Sequence, residues 1–252
     1  MNGLAWIRNA LWLVLALLCS LAADLAAAGA DAIAKANEEY KAGRFAEAAQ
    51  LYESAIKAGE TNAALFYNLG NATFKTDKLG HAVLNYERAL ALEPQHPEAL
   101  ANLGLARDRA RALELRRKRW DRVTARISVA QSSIAVSASF WIAAFALAGL
   151  LTVRRRSGWL AALLVMSLVV LALSAAALYL RETGNKGRDF AIVTEPKVEA
   201  RVATADSAGT VLMLPPGSEI KILSTRGDWI YSALPNELRG WLPARSAERV
   251  RL

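Results

Sequence analysis

Chemistry-bearing residues are scarce in this chain. It holds one cysteine, Cys19, and two histidines, His81 and His96, in 252 residues. One cysteine excludes an intrachain disulfide framework. Without an HExxH or CxxC spacing there is also no ligand set for a metal or redox centre. No Ser/His/Asp, Cys/His or paired-carboxylate pattern falls in a cleft-forming arrangement, so the sequence nominates no catalytic residue and no cofactor. Cys19 lies inside an apolar run and follows Leu18, where a lipid-modified cysteine would need a small residue. It reads as part of an export signal.

Charge is missing too, and it is missing in blocks. Ser132–Val153 and Trp159–Leu180 each run for 22 residues without Asp, Glu, Lys or Arg. At ~1.5 Å of rise per residue each helix would span ~33 Å, enough for the ~30 Å hydrocarbon core of a bilayer. Arg154, Arg155 and Arg156 lie in the short turn between them, so a transmembrane hairpin is expected. No ionisable residue interrupts either run, which argues against an ion or proton pathway. Small residues such as Ala148, Gly149, Ala162, Ala175 and Ala176 are expected to let the two helices pack closely.

The net charge of +8 is unevenly placed. Arg107–Arg126 alone carries nine basic and three acidic residues. Beside an apolar span such a cluster meets phospholipid headgroups, and Arg116, Arg117, Lys118, Arg119 and Trp120 form an expected interfacial anchor with Arg154–Arg156 on the other side. No nucleic-acid-binding motif accompanies it, so nucleic acid is excluded as a partner. At the other end, Arg8 precedes the 14-residue apolar stretch Ala10–Ala23. That is the form of a secretory signal or, uncleaved, an N-terminal anchor.

Between signal and hairpin the chain repeats itself. KAGRFAEAAQLYESAIKAG aligns with KTDKLGHAVLNYERALALEP at an offset of 34 residues, matching Ala48 to Ala82, Tyr52 to Tyr86, Ala55 to Ala89 and Ala36 to Gly70. Leu103 and Gly104 answer Leu69 and Gly70, but no second helix follows them. These residues resemble tetratricopeptide repeats, helical hairpins that stack into a solenoid. The resemblance implies a concave face that binds proteins or peptides, presenting Asn37, Asn68, Asn71 and Asn102. Family members that grip a terminal carboxylate need basic residues where this chain has Ile33, Glu98 and Asn102, so that clamp is not expected.

The last 63 residues have short alternating apolar runs broken by Pro-Pro-Gly, Arg-Gly-Asp and Pro-Asn, the pattern of a small β-barrel. Pro216-Gly217, Gly227-Asp228-Trp229 and Arg239–Leu242 resemble the bacterial SH3 family. Trp229 and Trp241 are its expected aromatic residues. Signal, repeats, two-span hairpin and terminal SH3-like domain, in that order, resemble the E-type proteins of aerotolerance (Bat) operons. That resemblance implies a non-catalytic component of the bacterial inner membrane, with von Willebrand A-domain membrane proteins and a MoxR-type ATPase as partners. An alternative is a module that binds peptidoglycan peptides.

The expected organisation is multi-domain. A signal or anchor covers 1–27, all-α repeats 28–106, a basic juxtamembrane helix 107–131 and spans 132–153 and 159–180 around a basic turn at 154–158. A linker at 181–189 leads to an all-β SH3-like domain over 190–252. Repeats and barrel should share one side of the membrane. The export signal places both in the periplasm, whereas the count of flanking arginines would place both in the cytoplasm.

Overall fold

The computed structural model describes residues 29–116, 129–152, 158–184 and 186–251. The export signal, Arg117, Lys118, Arg119, Trp120 and Arg154–Arg156 lie outside them. A first helix, α1, covers residues 29–41. It is followed by α2 (Phe45–Lys57), α3 (Ala63–Lys75), α4 (Leu79–Leu92) and α5 (Pro97–Ala110). Two long apolar helices come next, α6 (Val129–Thr152) and α7 (Gly158–Thr183). Seven strands close the chain: β1 (Phe190–Val193), β2 (Val198–Arg201), β3 (Thr210–Leu214), β4 (Glu219–Arg226), β5 (Trp229–Ala233), β6 (Arg239–Pro243) and β7 (Ala247–Arg249).

The 34-residue period is physical. Ala48, Tyr52 and Ala55 are buried on α2, and Ala82, Tyr86 and Ala89 repeat them on α4, the i, i+4, i+7 stripe of a helix packed on one side. At Gly70 a side chain would have to occupy the Tyr86 ring, 2.7 Å from an added Cβ. Asn62 caps α3 by accepting a hydrogen bond from Leu65 N–H at 2.8 Å, and Pro97 opens α5 with φ already set. The turn after each first helix uses one left-handed position, Gly43 (φ 81), Asp77 (φ 60) and Arg111 (φ 52), again at steps of 34.

After Arg111 the third repeat departs from the pattern. The basic helix expected to run on from 107 ends at Ala110, and residues 112–116 form a strap with no regular secondary structure. The register supplies a reason: the buried alanine of the second helix, Ala48 and then Ala82, becomes Arg116 at the next step. An arginine there lacks the small size with which Ala48 and Ala82 are fully buried on α2 and α4. A Cβ added to Gly104 meets open space.

The strap lies against the sheet. Leu113 N–H donates to Ser218 Oγ (3.1 Å), Glu219 N–H donates to Leu113 O (2.8 Å), and Leu115 N–H donates to Glu219 Oε2 (3.0 Å). The strands are antiparallel in the order β3-β2-β6-β5-β4-β1-β7. In place of the expected barrel closure, β3 and β7 stand at opposite ends of this order and do not pair with each other.

Repeats and sheet are expected as separate domains, but they share a core. Ala82, Val83, Leu84 and Tyr86 of α4 and Leu103 and Ala106 of α5 cluster with Leu115, Phe190, Ile192 and Val250. The sheet covers the end of the helical stack. Gly80 permits the approach, since a Cβ there would sit 2.6 Å from Thr194 O. Arg88 fastens the far edge, donating to Glu248 Oε2 and Arg249 O, each at 3.1 Å.

α6 and α7 pack on each other and are long and apolar enough to cross a membrane, with mean hydropathies of 2.1 and 2.6. Only 17% and 11% of their apolar windows is buried, so they are not core helices of the body. Their seam is made by Ser132, Ser139, Ala143 and Ala146 against Leu160 and Ser167. Gly149 faces Leu160 across it. Ala148, Ala162, Ala175 and Ala176 instead face outward. The seven-residue spacings 132–139–146 and 160–167 match the seam of two helices wrapped with a left-handed crossing.

Candidate partner-binding surfaces

Each full repeat ties its two helices together with one tyrosine and one asparagine. Tyr52 Oη donates to Asn37 Oδ1 at 2.6 Å, and Tyr86 Oη donates to Asn71 Oδ1 at 2.8 Å. Asn71 Oδ1 also accepts from Asn102 Nδ2 at 2.9 Å, and the same Nδ2 lies 3.4 Å from Tyr67 Oη. Three of the four asparagines expected on the concave face thus have carboxamide atoms engaged inside the stack. Asn68 is half-buried and makes no side-chain hydrogen bond among the described residues. The sequence signal for this was present: Tyr52 and Tyr86 lie 15 residues after Asn37 and Asn71 in both repeats.

This bond contributes to stability. Burial pushes the Tyr86 phenol well above its ordinary value, and the ring seals the notch at Gly70. Tyr86→Phe keeps the ring and removes one hydrogen bond. Its expected cost is about 1 kcal/mol, read as a lower urea midpoint at unchanged slope for the full chain in detergent.

A pocket of about 180 Å³ opens between the first two repeats, lined by Asn37, Tyr40, Lys41, Tyr52 and Asn68. Lys41 is exposed and has no acidic partner among the described residues, whereas Lys35 is paired with Asp31 at 2.8 Å. Neither Tyr40 nor Lys41 stood out in the sequence, because a lysine late in a helix is ordinary.

The sheet places its two expected tryptophans differently. Trp241 packs on Tyr231 with ring centroids 5.0 Å apart and the planes tilted by 38°, and both are half-buried. Trp229 is half-buried opposite Pro243. Arg116 is exposed and pairs with Glu237 of the sheet at 2.9 Å, an intramolecular contact where a headgroup contact was expected.

A second cluster, which sequence reasoning missed, lies where repeats, strap and sheet meet. Arg107 pairs with both Glu87 and Glu219, which are 4% and 1% exposed. Lys186, just beyond α7, reaches Glu87 Oε1 at 2.6 Å and Glu219 Oε1 at 3.6 Å. Burial pushes the Glu219 carboxyl up, and Glu87 adds to the push, against the opposing pull of Lys186 and Arg107. Among the described residues no three His, Cys, Asp or Glu gather as a metal set.

Residues 36–77 match a protein-family model described as TPR repeat. That stretch of the helical stack is similar to tetratricopeptide repeats. Tetratricopeptide repeat protein 16 of Homo sapiens is 30% identical over 91 residues, 36% of this chain and 10% of that protein. The chain spans about a tenth of that relative's length, so the likeness is one of repeats. Tetratricopeptide repeats as a class are surfaces for other proteins.

Proposed function

We propose that this chain is a non-catalytic, membrane-anchored scaffold that holds protein partners on a repeat–sheet body close to a bilayer. The observation that carries the reading is the pairing of a repeat stack with two adjacent apolar helices whose outer surfaces are left exposed among the described residues. The bilayer would take Phe140, Trp141, Phe145, Leu151 and Trp159, all exposed. Arg117, Lys118, Arg119, Trp120 and Arg154–Arg156 would lie at the headgroups. Tethering raises the effective concentration of partners that bind weakly one at a time.

The order of parts favours a Bat-type envelope complex in a bacterial inner membrane, with both soluble parts in the periplasm. Von Willebrand A-domain membrane proteins and a MoxR-type ATPase system are the proposed partners. Co-expression of the tagged full chain with these proteins, followed by purification in mild detergent, tests it. A complex is expected to survive purification. Recovery of the tagged chain alone, with the partners present in the extract, overturns the assignment.

The packed pair Tyr231–Trp241 favours a second reading, an SH3-like surface that binds peptidoglycan peptides. The full chain in detergent should then co-sediment with purified sacculi, and Trp241→Ala should release it. Sedimentation that Trp241→Ala leaves unchanged rules this reading out.

A further inference from the structure

We propose that the outer face of β4–β6, with Lys221, Leu223, Tyr231, Leu238, Arg239 and Trp241, rests on the anionic headgroup surface of the bilayer that α6 and α7 cross. The inference rests on the membrane reading of those two helices and adds a second lipid contact, made by the sheet.

The placement follows from where the chain leaves for the hairpin and where it comes back. The apolar part of α7 ends at Leu180, so Thr183 lies about 4.5 Å further along the axis. The headgroup layer on each side of a bilayer is roughly 5–7 Å thick, which puts Thr183 inside it. Lys221 of β4 donates to Thr183 O at 2.6 Å, a cation on the negative end of the helix. The outgoing route marks a second point. Arg116, at the end of the strap, pairs with Glu237 in the turn between β5 and β6, and α6 begins at Val129. Strand register sets the row Lys221–Ala233–Arg239, which runs from the first point towards the second. This end of the sheet therefore faces the plane in which the apolar helices end.

The side chains on that face suit the same plane. Alternation along the strands turns Ile220, Ile222, Ile230 and Leu242 into the sheet's own core. Tyr231 and Trp241 pair across β5 and β6 on the other face and stay half-buried. Leu223, at the irregularity in the β4–β5 register, and Leu238 are exposed. The neighbouring carboxylates are already answered, Glu237 by Arg116 and Glu182 by Arg188 and Arg251. Lys221 and Arg239 have no acidic partner among the described residues. Rings that are apolar in the body and polar at the tip favour headgroup depth, and cations beside them meet lipid phosphates. The exposed leucines gain by leaving water. A peptide would account for the two rings; the position beside both routes to the hairpin favours lipid.

Depth measurements on the full chain test this. The Cys19→Ser chain is reconstituted in phosphatidylcholine nanodiscs with and without phosphatidylglycerol, each containing some nickel-chelating lipid. Single spin labels are introduced through Leu223→Cys, Leu238→Cys, Phe145→Cys on α6 and Glu53→Cys on α2. With phosphatidylglycerol present, the labels at 223 and 238 are expected to relax with headgroup nickel, and the label at 53 is not. Without it, their relaxation should weaken. Lys221→Glu together with Arg239→Glu should lift the face, moving the balance towards the lifted state about fivefold for each reversed charge. Lys221→Arg with Arg239→Lys should keep it docked. Both side chains lie at the surface, so melting temperatures should stay within a few degrees. Arg239→Glu alone leaves the Lys221–Thr183 bond in place and should still show part of the loss. Labels at 223 and 238 that ignore headgroup nickel, with the label at 145 deep in hydrocarbon, overturn the docking face, leave the membrane reading intact and return Tyr231 and Trp241 to a peptide. Docking that survives both charge reversals overturns it too, as does a label at 53 that relaxes as strongly as those on the sheet. A label at 145 in water overturns the membrane reading and this inference with it.

Discussion

Arg107→Ala is expected to lower the stability of the repeat–sheet body by about 3–5 kcal/mol, the cost of removing one partner from a buried ionic cluster. Arg107 is the shared partner of Glu87 and Glu219, and both carboxylates are almost completely buried. Without it the two negative groups face each other, and Lys186, itself 35% exposed at the side chain, is a weaker offset. Removing a charge from the other side should behave differently. Burial raises the Glu219 carboxyl above its ordinary value of 4.5, so the folded chain binds that proton more tightly than the unfolded chain. The stabilisation this gives is full below the ordinary value and is lost as pH rises through the raised one. Glu219→Gln should therefore cost little and flatten the decline in stability across that window. Urea titrations of the full chain in detergent at a series of pH values would show it. A midpoint for Arg107→Ala close to wild type would mean the cluster does not hold the seam.

Excision of the apolar hairpin should leave a folded, water-soluble monomer. The chain departs at the strap and returns at Lys186, and both ends meet one residue: Leu115 N–H lies 3.0 Å from Glu219 Oε2 and Lys186 Nζ 3.6 Å from Glu219 Oε1. A Gly/Ser linker of about eight residues has a typical span of roughly 16 Å, sufficient to join residue 116 to residue 186. The product should unfold in one cooperative step, because α4 and α5 share their core with Phe190, Ile192 and Val250. Adding Gly80→Val should split or abolish that step, since even the first carbon of a side chain would lie 2.6 Å from Thr194 O. Two independent transitions in the excised chain would show that repeats and sheet are merely neighbours. Differential scanning calorimetry and sedimentation velocity decide between these outcomes.

Much of this architecture was legible because it is local or periodic. The 34-residue offset shows in small and aromatic residues packed within each helical pair, and the apolar runs show in an unbroken lack of charge. The alternating runs after 190 gave the strands, though not the order in which they pair. The seam between repeats and sheet was not legible. It joins Gly80 to Thr194 and Arg107 to Glu219, contacts more than a hundred residues apart whose members look unremarkable in their own segments. Glu87 occupies the helical position that Glu53 has one repeat earlier; Glu53 is exposed and Glu87 is buried. The candidate surface was half legible. The four asparagines could be found from the repeat register, but the same register, extended to Tyr52 and Tyr86, uses two of them to fix the tyrosines. Asn68 stands apart, half-buried and lining the pocket between the first two repeats.

The core shared by the helical stack and the sheet sets an order of events during synthesis. α4 and α5 leave the ribosome before the residues that cover them, Phe190, Ile192 and Val250. At roughly 5–20 residues per second, about 4–16 seconds separate the end of α5 from Phe190. Throughout that interval the open end of the stack exposes an apolar surface, and the hairpin must be made before the cover arrives. Newly made chains should accordingly be most vulnerable to proteolysis and most dependent on chaperones in that interval. A translation arrest placed just before Phe190 would hold the chain in that state, with its two apolar helices complete and its repeat–sheet body unfinished.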